Sequence, residues 1–297
     1  MAHTQWPALP SDSWRDTYPT LHMWTQIVGK IALALTPRTN HFWNVALHIT
    51  SRGLTTPLMY CRDCAFTITF DFVAHELLIE TSDGATEIIV LKQRTVAEFY
   101  GLLMSTLHRM NIDVRIWTMP QEVPNPIKFE KDDVHRSYDA AAAKTFWQIL
   151  ISMKPVFDEF RAKFIGKCSP IHFFWGSFDL AATRFSGRRA PERPGADPIT
   201  RESYSHEVIS HGFWPGSGAM PEPAFYAYAA PEPAGLKTAK VLPAAAFYSP
   251  DLSEFLLPYE AVRTAKSPEE DLTAFLTSTY NAAADLDKWN RSELERS

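Results

Sequence analysis

The sequence contains only three cysteines, no apolar run that approaches the roughly 20 residues needed to cross a bilayer, and no excess of basic residues. Cys61, Cys64 and Cys168 are too few, and odd in number, for a disulfide framework. Cys61 and Cys64 have the spacing of half a zinc site, but no second Cys or His pair lies close in sequence. The 29 basic and 34 acidic residues give a net charge of −5, which argues against a nucleic-acid partner.

Several sequence motifs are also missing. There is no Walker loop, no G-x-G-x-x-G and no G-x-S-x-G, which disfavours P-loop nucleotide, dinucleotide and α/β-hydrolase chemistry. The N-terminus has no apolar run of signal-peptide type, so we expect a cytoplasmic protein with neither a membrane nor a nucleic-acid partner. Its 297 residues are enough for a well-buried core and for two lobes.

Alternating apolar residues predict strands in both halves of the chain. In the first half these are residues 66–72, 76–81 and 87–91, followed by a helix that begins at a capping box of Thr95 and Glu98. The second half repeats this order. It has strands at 224–230, 244–249 and 254–262, and then a helix capped by Ser267, with Pro268 in its first turn.

The resemblance between the halves extends upstream. A helix ending in Gly-Lys is predicted at 22–30 and again at 159–167, and each is followed by a His and an aromatic strand, at 41–53 and 172–187. The pattern predicts an α+β protein of two similar lobes from an internal duplication, each with helices packed on a mostly antiparallel sheet. The lobes are residues 1–125 and 126–297, with a Pro-rich connection at 119–129 and a helix at 138–167 that Pro155 kinks or divides. Chance similarity of two amphipathic segments is the alternative.

Four blocks carry a family resemblance: "LHMWTQIVGKI", the run from "HFFWGSFDLAATRFSGRR" to "SHEVISHGFWPG", "PEPAFYAYAAPEP" and "FLLPYEAVR". With these blocks the sequence resembles a bacterial family known as domain of unknown function 5996 over nearly its whole length. The resemblance implies no activity, so it identifies no catalytic residue.

The strand predicted at 172–187 has one unusual face. Side chains alternate along a strand, so Trp175, Ser177, Asp179, Ala181 and Thr183 share a face. A buried carboxylate without partners costs several kcal/mol, so Asp179 must meet hydrogen-bond donors, water, a ligand or a cation. Two interpretations remain open at this point: the aspartate faces a cavity, or it pairs with Arg184 or Arg188 to anchor the following segment.

That segment, residues 184–223, is rich in Pro, Gly and Arg and is predicted as a long loop. His206 and His211 are five residues apart, about 140° around a helix, so they cannot bind one metal as a zinc-protease pair does. A single Zn or Fe held by His206 or Glu207 with His172 or His22 is chemically feasible. The alternative is that these histidines are structural.

These observations favour an enzyme that acts on a small polar or anionic molecule, by acid/base or metal-assisted chemistry, in a cleft between the lobes. Asp179, His206 and Glu207 are the candidate acid/base groups. The candidate ligand-binding residues are His22, His172, Trp175, Ser177, Thr183, Arg184, Arg188, Tyr204, Trp214, Tyr226 and Tyr228. A small-molecule-binding protein without catalysis and a structural protein remain as alternatives.

Overall fold

The computed structural model describes residues 6–62, 64–217 and 220–296. Its α-helices are α1 (Ser11–Leu35), α2 (Val96–Arg109), α3 (Ala140–Ala162), α4 (Pro198–Ser203), α5 (Tyr259–Arg263), α6 (Pro268–Leu286) and α7 (Arg291–Leu294). Short 3₁₀ helices span Asn40–Val45, Phe129–Lys131 and Leu236–Thr238. The strands of the first half are β1 (His48–Ile49), β2 (Gly53–Thr55), β3 (Met59–Cys61), β4 (Cys64–Asp71), β5 (Glu76–Thr81) and β6 (Thr86–Val90). Those of the second half are β7 (His172–Phe174), β8 (Asp179–Arg189), β9 (His206–Trp214), β10 (Ala224–Ala230), β11 (Phe247–Ser249) and β12 (Glu254–Pro258).

The first sheet is antiparallel, in the order β1-β2-β4-β5-β6, with β3 also paired to β4. Its central strands follow the predicted alternation, and Gly84, at φ 92°, makes the turn between β5 and β6. The capping box of α2 is confirmed, because the Thr95 side chain accepts from the Glu98 N–H and Glu98 accepts from the Thr95 N–H.

The second sheet is also antiparallel, in the order β11-β12-β10-β9-β8-β7. Helices α3 and α6 contact each other and cover one face of this sheet at β8, β9 and β10. Phe213, Phe225 and Phe255 are buried, and the rings of Phe213 and Phe225 pack against Tyr259 of α5. The opposite face carries the polar residues from which the candidate site is built.

The α+β class with antiparallel sheets is therefore confirmed, whereas the internal duplication is not. The edges of the two sheets meet at one antiparallel bridge, in which Leu47 and Phe173 exchange N–H···O bonds of 2.9 Å. A contiguous core includes buried residues from both halves of the chain, and α1 contacts both α2 and α3. The boundary between lobes at residue 125 stays a prediction.

The strand predicted at 41–53 is wrong. Residues Asn40–Val45 form a 3₁₀ helix in which His41 and Phe42 have φ values of 56° and 57°, and only the short β1 and β2 follow. The predicted Gly-Lys helix ends are also wrong, because Lys30 lies inside α1 and Lys167 lies beyond the end of α3. Pro155 lies inside α3, which continues through it as one helix.

The strand predicted at 172–187 is two strands, β7 and β8, joined by a turn at residues 175–178. The long loop predicted at 184–223 is also wrong, because this segment contains the end of β8, all of α4 and all of β9. Its positions 218 and 219 lie outside the described residues. The strand at 254–262 ends at Pro258, where α5 follows, and the Ser267 side chain makes no capping hydrogen bond to α6.

Among the described residues, no helix combines the length and apolar character that a membrane crossing requires.

Candidate functional site

A cavity of about 650 Å³ lies on the face of the second sheet that α3 and α6 leave uncovered. Alternate residues of four strands project into it: Asp179 and Thr183 from β8, Ser210 from β9, Tyr226 and Tyr228 from β10, and Glu254 from β12. Residues from α1, the 3₁₀ helix at Asn40–Val45, residues 121–122 and α4 cover the cavity from the other side. Its volume is in the range of small-molecule sites.

Asp179 faces this cavity and does not pair with an arginine. It is only 7% exposed, and its two carboxylate oxygens accept hydrogen bonds from the hydroxyls of Ser177 and Tyr226. Burial raises the pKa of the Asp179 carboxyl, while the two hydroxyl donors act in the opposite direction. The carboxylate is therefore held in a fixed orientation by neutral donors.

Gly212 makes the contact between Tyr226 and Asp179 possible. Tyr226 on β10 is opposite Gly212 on β9, and Gly212 is in turn opposite Ala181 on β8. A Cβ atom at Gly212 would lie 2.3 Å from the Tyr226 hydroxyl and 2.3 Å from the Leu180 carbonyl oxygen. The tyrosine ring therefore crosses β9 where the strand has no side chain.

Glu254 is the second carboxylate at the cavity and begins β12. Its side chain is partly buried and accepts no hydrogen bond from any residue that the structure describes. Burial, together with the negative charge of Asp179, raises the pKa of Glu254 to about 7. Near neutral pH this carboxyl group can therefore exist in both protonation states.

Glu122 is the third carboxylate, at the more exposed side of the cavity. The Gln26 amide holds the neighbouring Gln121 by two hydrogen bonds, of 2.8 and 2.9 Å, to its backbone. Glu122 itself has a φ of 55°, and a Cβ atom at Gly176 would lie 2.8 Å from its carboxylate. Partial burial and the charges of Asp179 and Asp197 raise the pKa of Glu122.

Aromatic side chains form much of the remaining wall. Tyr226 and Tyr228 stack with ring centres 6.0 Å apart, and the Tyr228 hydroxyl lies 3.0 Å from that of Tyr204. The indole of Trp175 fits against Gly29 of α1, where a Cβ atom would lie 2.1 Å from the ring. Its Nε1–H donates to the Val45 carbonyl at 2.8 Å, which ties the cavity wall to the 3₁₀ helix.

The edge of the cavity contains two consecutive left-handed residues, His41 and Phe42. The His41 Nδ1–H donates to the Glu202 carbonyl at 3.0 Å, and its Nε2 accepts from Lys167 at 2.6 Å. Burial and the Lys167 charge lower the pKa of His41, which favours the neutral ring. An ion pair between Arg38 and Glu202 also fastens α4 to this edge.

Eight of the predicted site residues line the cavity: Trp175, Ser177, Asp179, Thr183, Tyr204, Trp214, Tyr226 and Tyr228. The alternation of Asp179 and Thr183 along β8 agrees with the predicted face. Trp175 and Ser177, however, reach the cavity from the turn between β7 and β8. Thr183 shares a 2.8 Å hydrogen bond with Ser210 of the neighbouring strand.

The two arginines predicted to bind an anionic group lie elsewhere. Arg184 projects from the opposite face of β8, is 3% exposed and stacks 3.5 Å from the Phe160 ring centre, beneath the helices. Arg188 is exposed and bonds Glu207 at 2.7 Å and the Asp287 carbonyl at 2.7 Å. Neither guanidinium lines the cavity, so neither is placed to contact a ligand bound there.

The acid/base candidates Glu207 and His206 are also outside the cavity lining. Glu207 accepts from Ser186 and Arg188 at 2.7 Å, and the ring of His206 lies 6.0 Å from that of His41. The structure thus separates both groups from Asp179, with which they were expected to act.

The other two candidate histidines, His22 and His172, do not line the cavity. The His22 Nε2–H donates to the Gly176 carbonyl at 2.8 Å, and burial lowers its pKa to about 4. His172 is buried beside His48, with ring centres 5.6 Å apart, and burial lowers its pKa to about 4 as well. His22, His172 and His206 are not brought together, and within the described parts of the chain no group of three or more His, Cys, Asp or Glu side chains is placed to hold a metal ion.

Glu254 and Glu122 were missed by the sequence analysis. The signal for Glu254 was present, since it alternates with Leu256 and shares a strand face with it. Glu122 lies in an irregular Pro-rich segment with no period, so its position depends on the tertiary contact between Gln121 and Gln26.

Residues 6–296 match the model of a family described as "Family of unknown function (DUF5996)". No curated protein and no solved structure matches the chain.

Proposed function

The chain belongs to the family of unknown function DUF5996, whose description names no activity. From the cavity itself we propose that the protein is an enzyme that acts on a small polar molecule by acid/base chemistry. The observation that carries the proposal is the contrast between two carboxylates at one cavity. Asp179 is fixed by two hydroxyl donors, whereas Glu254 has no hydrogen-bond partner among the described residues. Pairs of carboxyl groups with different environments commonly divide acid/base roles.

In this proposal Glu254 exchanges a proton with the substrate. A proton-transfer group works best when its pKa is near the operating pH, and the pKa of Glu254 is raised to about 7. Asp179 does not take part in this proton transfer, and Tyr226 and Ser177 keep its carboxyl group oriented. The aromatic residues exclude water from the bound substrate and so strengthen these electrostatic interactions.

The test is to incubate the purified protein with a small-molecule cell extract and to follow every compound by mass spectrometry. The wild-type protein is expected to convert at least one compound, and Glu254→Gln to leave that compound unchanged. Glu80→Gln is the matched control, because Glu80 is exposed on β5, in the other sheet. No conversion by the wild type, or equal conversion by Glu254→Gln, would overturn the proposal.

Binding without turnover is the second candidate. It is favoured by one observation: the Ser177 and Tyr226 hydroxyls, which could serve as nucleophile or acid, are both already bonded to Asp179. The same extract distinguishes the candidates, since a compound that co-purifies with the wild type and is never converted supports a binding protein.

A further inference from the structure

The charged residues that line the cavity are all of one sign. Among the described lining residues Asp179, Glu122 and Glu254 are acidic, and there is no lysine or arginine. Four cations among the described residues lie just outside this lining, two of them being Arg38, 4.4 Å from the Phe42 ring centre, and Lys30, 5.9 Å from that of Trp175. Lys167 donates to His41 at 2.6 Å, and the exposed Arg193 lies 4.2 Å from the Tyr204 ring centre. No cation on the described lining compensates the three carboxylates.

The three carboxylates differ in the hydrogen bonds that they already accept. Both oxygens of Asp179 accept hydroxyl donors. The side chains of Glu254 and Glu122 accept no hydrogen bond from the part of the chain that the structure describes. Both glutamates therefore have unused capacity for a positively charged hydrogen-bond donor, and the missing donor is unfavourable at Glu254, which is partly buried.

The aromatic wall of the cavity is also suited to bind a positively charged ligand. Trp43, Trp214, Tyr204, Tyr226 and Tyr228 all line the cavity together with the carboxylates. The faces of aromatic rings attract cations, and aromatic walls with acidic residues are a common arrangement for binding organic ammonium groups. An anionic ligand would instead be repelled by three carboxylates in a partly desolvated space.

We propose that the molecule bound in this cavity carries a positive charge, as a protonated amine or a quaternary ammonium does, and that Glu254 and Glu122 hold that charge. The inference rests on the proposed function only for the location of the site. It replaces the anionic ligand expected from Arg184 and Arg188.

The test compares three probes of similar size and shape: 2-phenylethylamine, 2-phenylethanol and phenylacetate, titrated into the wild-type protein by calorimetry at pH 7.5. The amine is expected to bind at least tenfold more tightly than the alcohol or the carboxylate. This preference is expected to fall below threefold in Glu122→Gln/Glu254→Gln and to persist in Glu80→Gln/Glu293→Gln. The control removes two charges from exposed glutamates.

Equal or tighter binding of the alcohol or the carboxylate would overturn the proposal, as would no binding of the amine at 10 mM. Retention of the tenfold preference in Glu122→Gln/Glu254→Gln would also overturn it. These measurements involve no turnover. If the protein converts an extract compound but shows no preference for the amine, only the proposal of a positively charged ligand is contradicted. If it prefers the amine but converts no compound, only the proposal that it is an enzyme is contradicted.

Discussion

The Tyr226 hydroxyl on β10 reaches across β9 and donates a hydrogen bond to Asp179 on β8. The contact links three strands, and it depends on the missing side chain of Gly212 between them. Because Ser177 donates to the other oxygen, the carboxylate keeps one orientation without a cationic partner. Of the two interpretations of Asp179, this contact supports the one in which the carboxylate faces a cavity over the one in which it pairs with an arginine.

Gly212→Ala is expected to break this contact. The new Cβ atom would overlap the Tyr226 ring and the Leu180 carbonyl oxygen, each at 2.3 Å, so the tyrosine must move away from Asp179. We expect a loss of about 1–3 kcal/mol in the free energy of unfolding, as for other overpacked sites, measured by urea denaturation.

Gly101→Ala is the matched control for this substitution. Gly101 lies in α2, and a Cβ atom added there would project into open space, so alanine is expected to stabilise the helix by up to about 1 kcal/mol. Equal stability of Gly212→Ala and the wild type would contradict the close approach of Tyr226.

Asp179→Asn is expected to change the free energy of unfolding at pH 7 by less than about 1 kcal/mol. The amide weakens one hydrogen bond but removes a buried charge that has no cationic partner, and the two effects offset each other. Denaturant titration of the wild type and the variant measures the difference.

Asp71→Asn provides the contrasting case. Burial opposes ionisation of Asp71, but hydrogen bonds from the Ala74 and Val73 amides and the Arg52 ion pair lower its pKa overall. Its replacement is expected to cost about 1–3 kcal/mol. If Asp179→Asn cost as much as Asp71→Asn, Asp179 would have a structural role comparable to that of Asp71.

Glu254→Gln is expected to change how stability depends on pH. The pKa of Glu254 is raised from about 4.5 to about 7, so the folded wild type binds this proton more tightly than the unfolded chain. The stability that this proton provides is complete below about pH 4.5 and is lost as the pH rises through 7. Glutamine does not titrate. The free energy of unfolding of Glu254→Gln is therefore expected to rise, relative to that of the wild type, by on the order of 2–3 kcal/mol as the pH increases from about 4.5 to above 7.

Thermal or urea unfolding at pH 4.5, 6 and 8 measures this trend. Glu80→Gln, on the exposed surface of β5, is the matched control for the loss of one glutamate. A difference between Glu254→Gln and the wild type that stays constant over the three pH values would contradict the raised pKa.

Arg184→Lys is expected to destabilise the protein without affecting the cavity. Arg184 stacks between Phe160 and Tyr280, at 3.5 and 4.3 Å from their ring centres, and donates to the Phe160 carbonyl. A lysine keeps the charge but loses the planar stacking group, at a cost of about 1–3 kcal/mol. Amine binding at sub-denaturing temperature is expected to be unchanged. Arg189→Lys, at an exposed position of the same strand, is the control.

The parts of the fold that follow from local patterns could be predicted from the sequence. The alternation of apolar residues predicted β4, β5 and β10, and the capping box of Thr95 and Glu98 predicted the start of α2. Residues 41–53 were misassigned because their aromatic composition is typical of a strand. The 3₁₀ helix forms there instead, held by contacts of His41 with Lys167 and Glu202, far away in sequence.

The site residues likewise include some that could be predicted from local patterns and some that could not. Strand alternation placed Asp179 and Thr183 on one face, and it could also have placed Glu254 beside Leu256. The position of Glu122 could not be predicted, since it depends on Gln26 holding an irregular segment against the cavity. The misplacement of Arg184 has a similar cause: charge suggested a ligand contact, whereas strand parity places the side chain beneath the helices.

The most direct test of this account is the titration of the Glu254 side-chain carboxyl carbon by NMR, in the wild type and in Asp179→Asn. We expect a midpoint near pH 7 in the wild type, and a lower midpoint in Asp179→Asn because the neighbouring negative charge is gone. A wild-type midpoint near the usual value of about 4.5, or a raised midpoint that Asp179→Asn leaves unchanged, would contradict the coupling of the two carboxyl groups in one cavity.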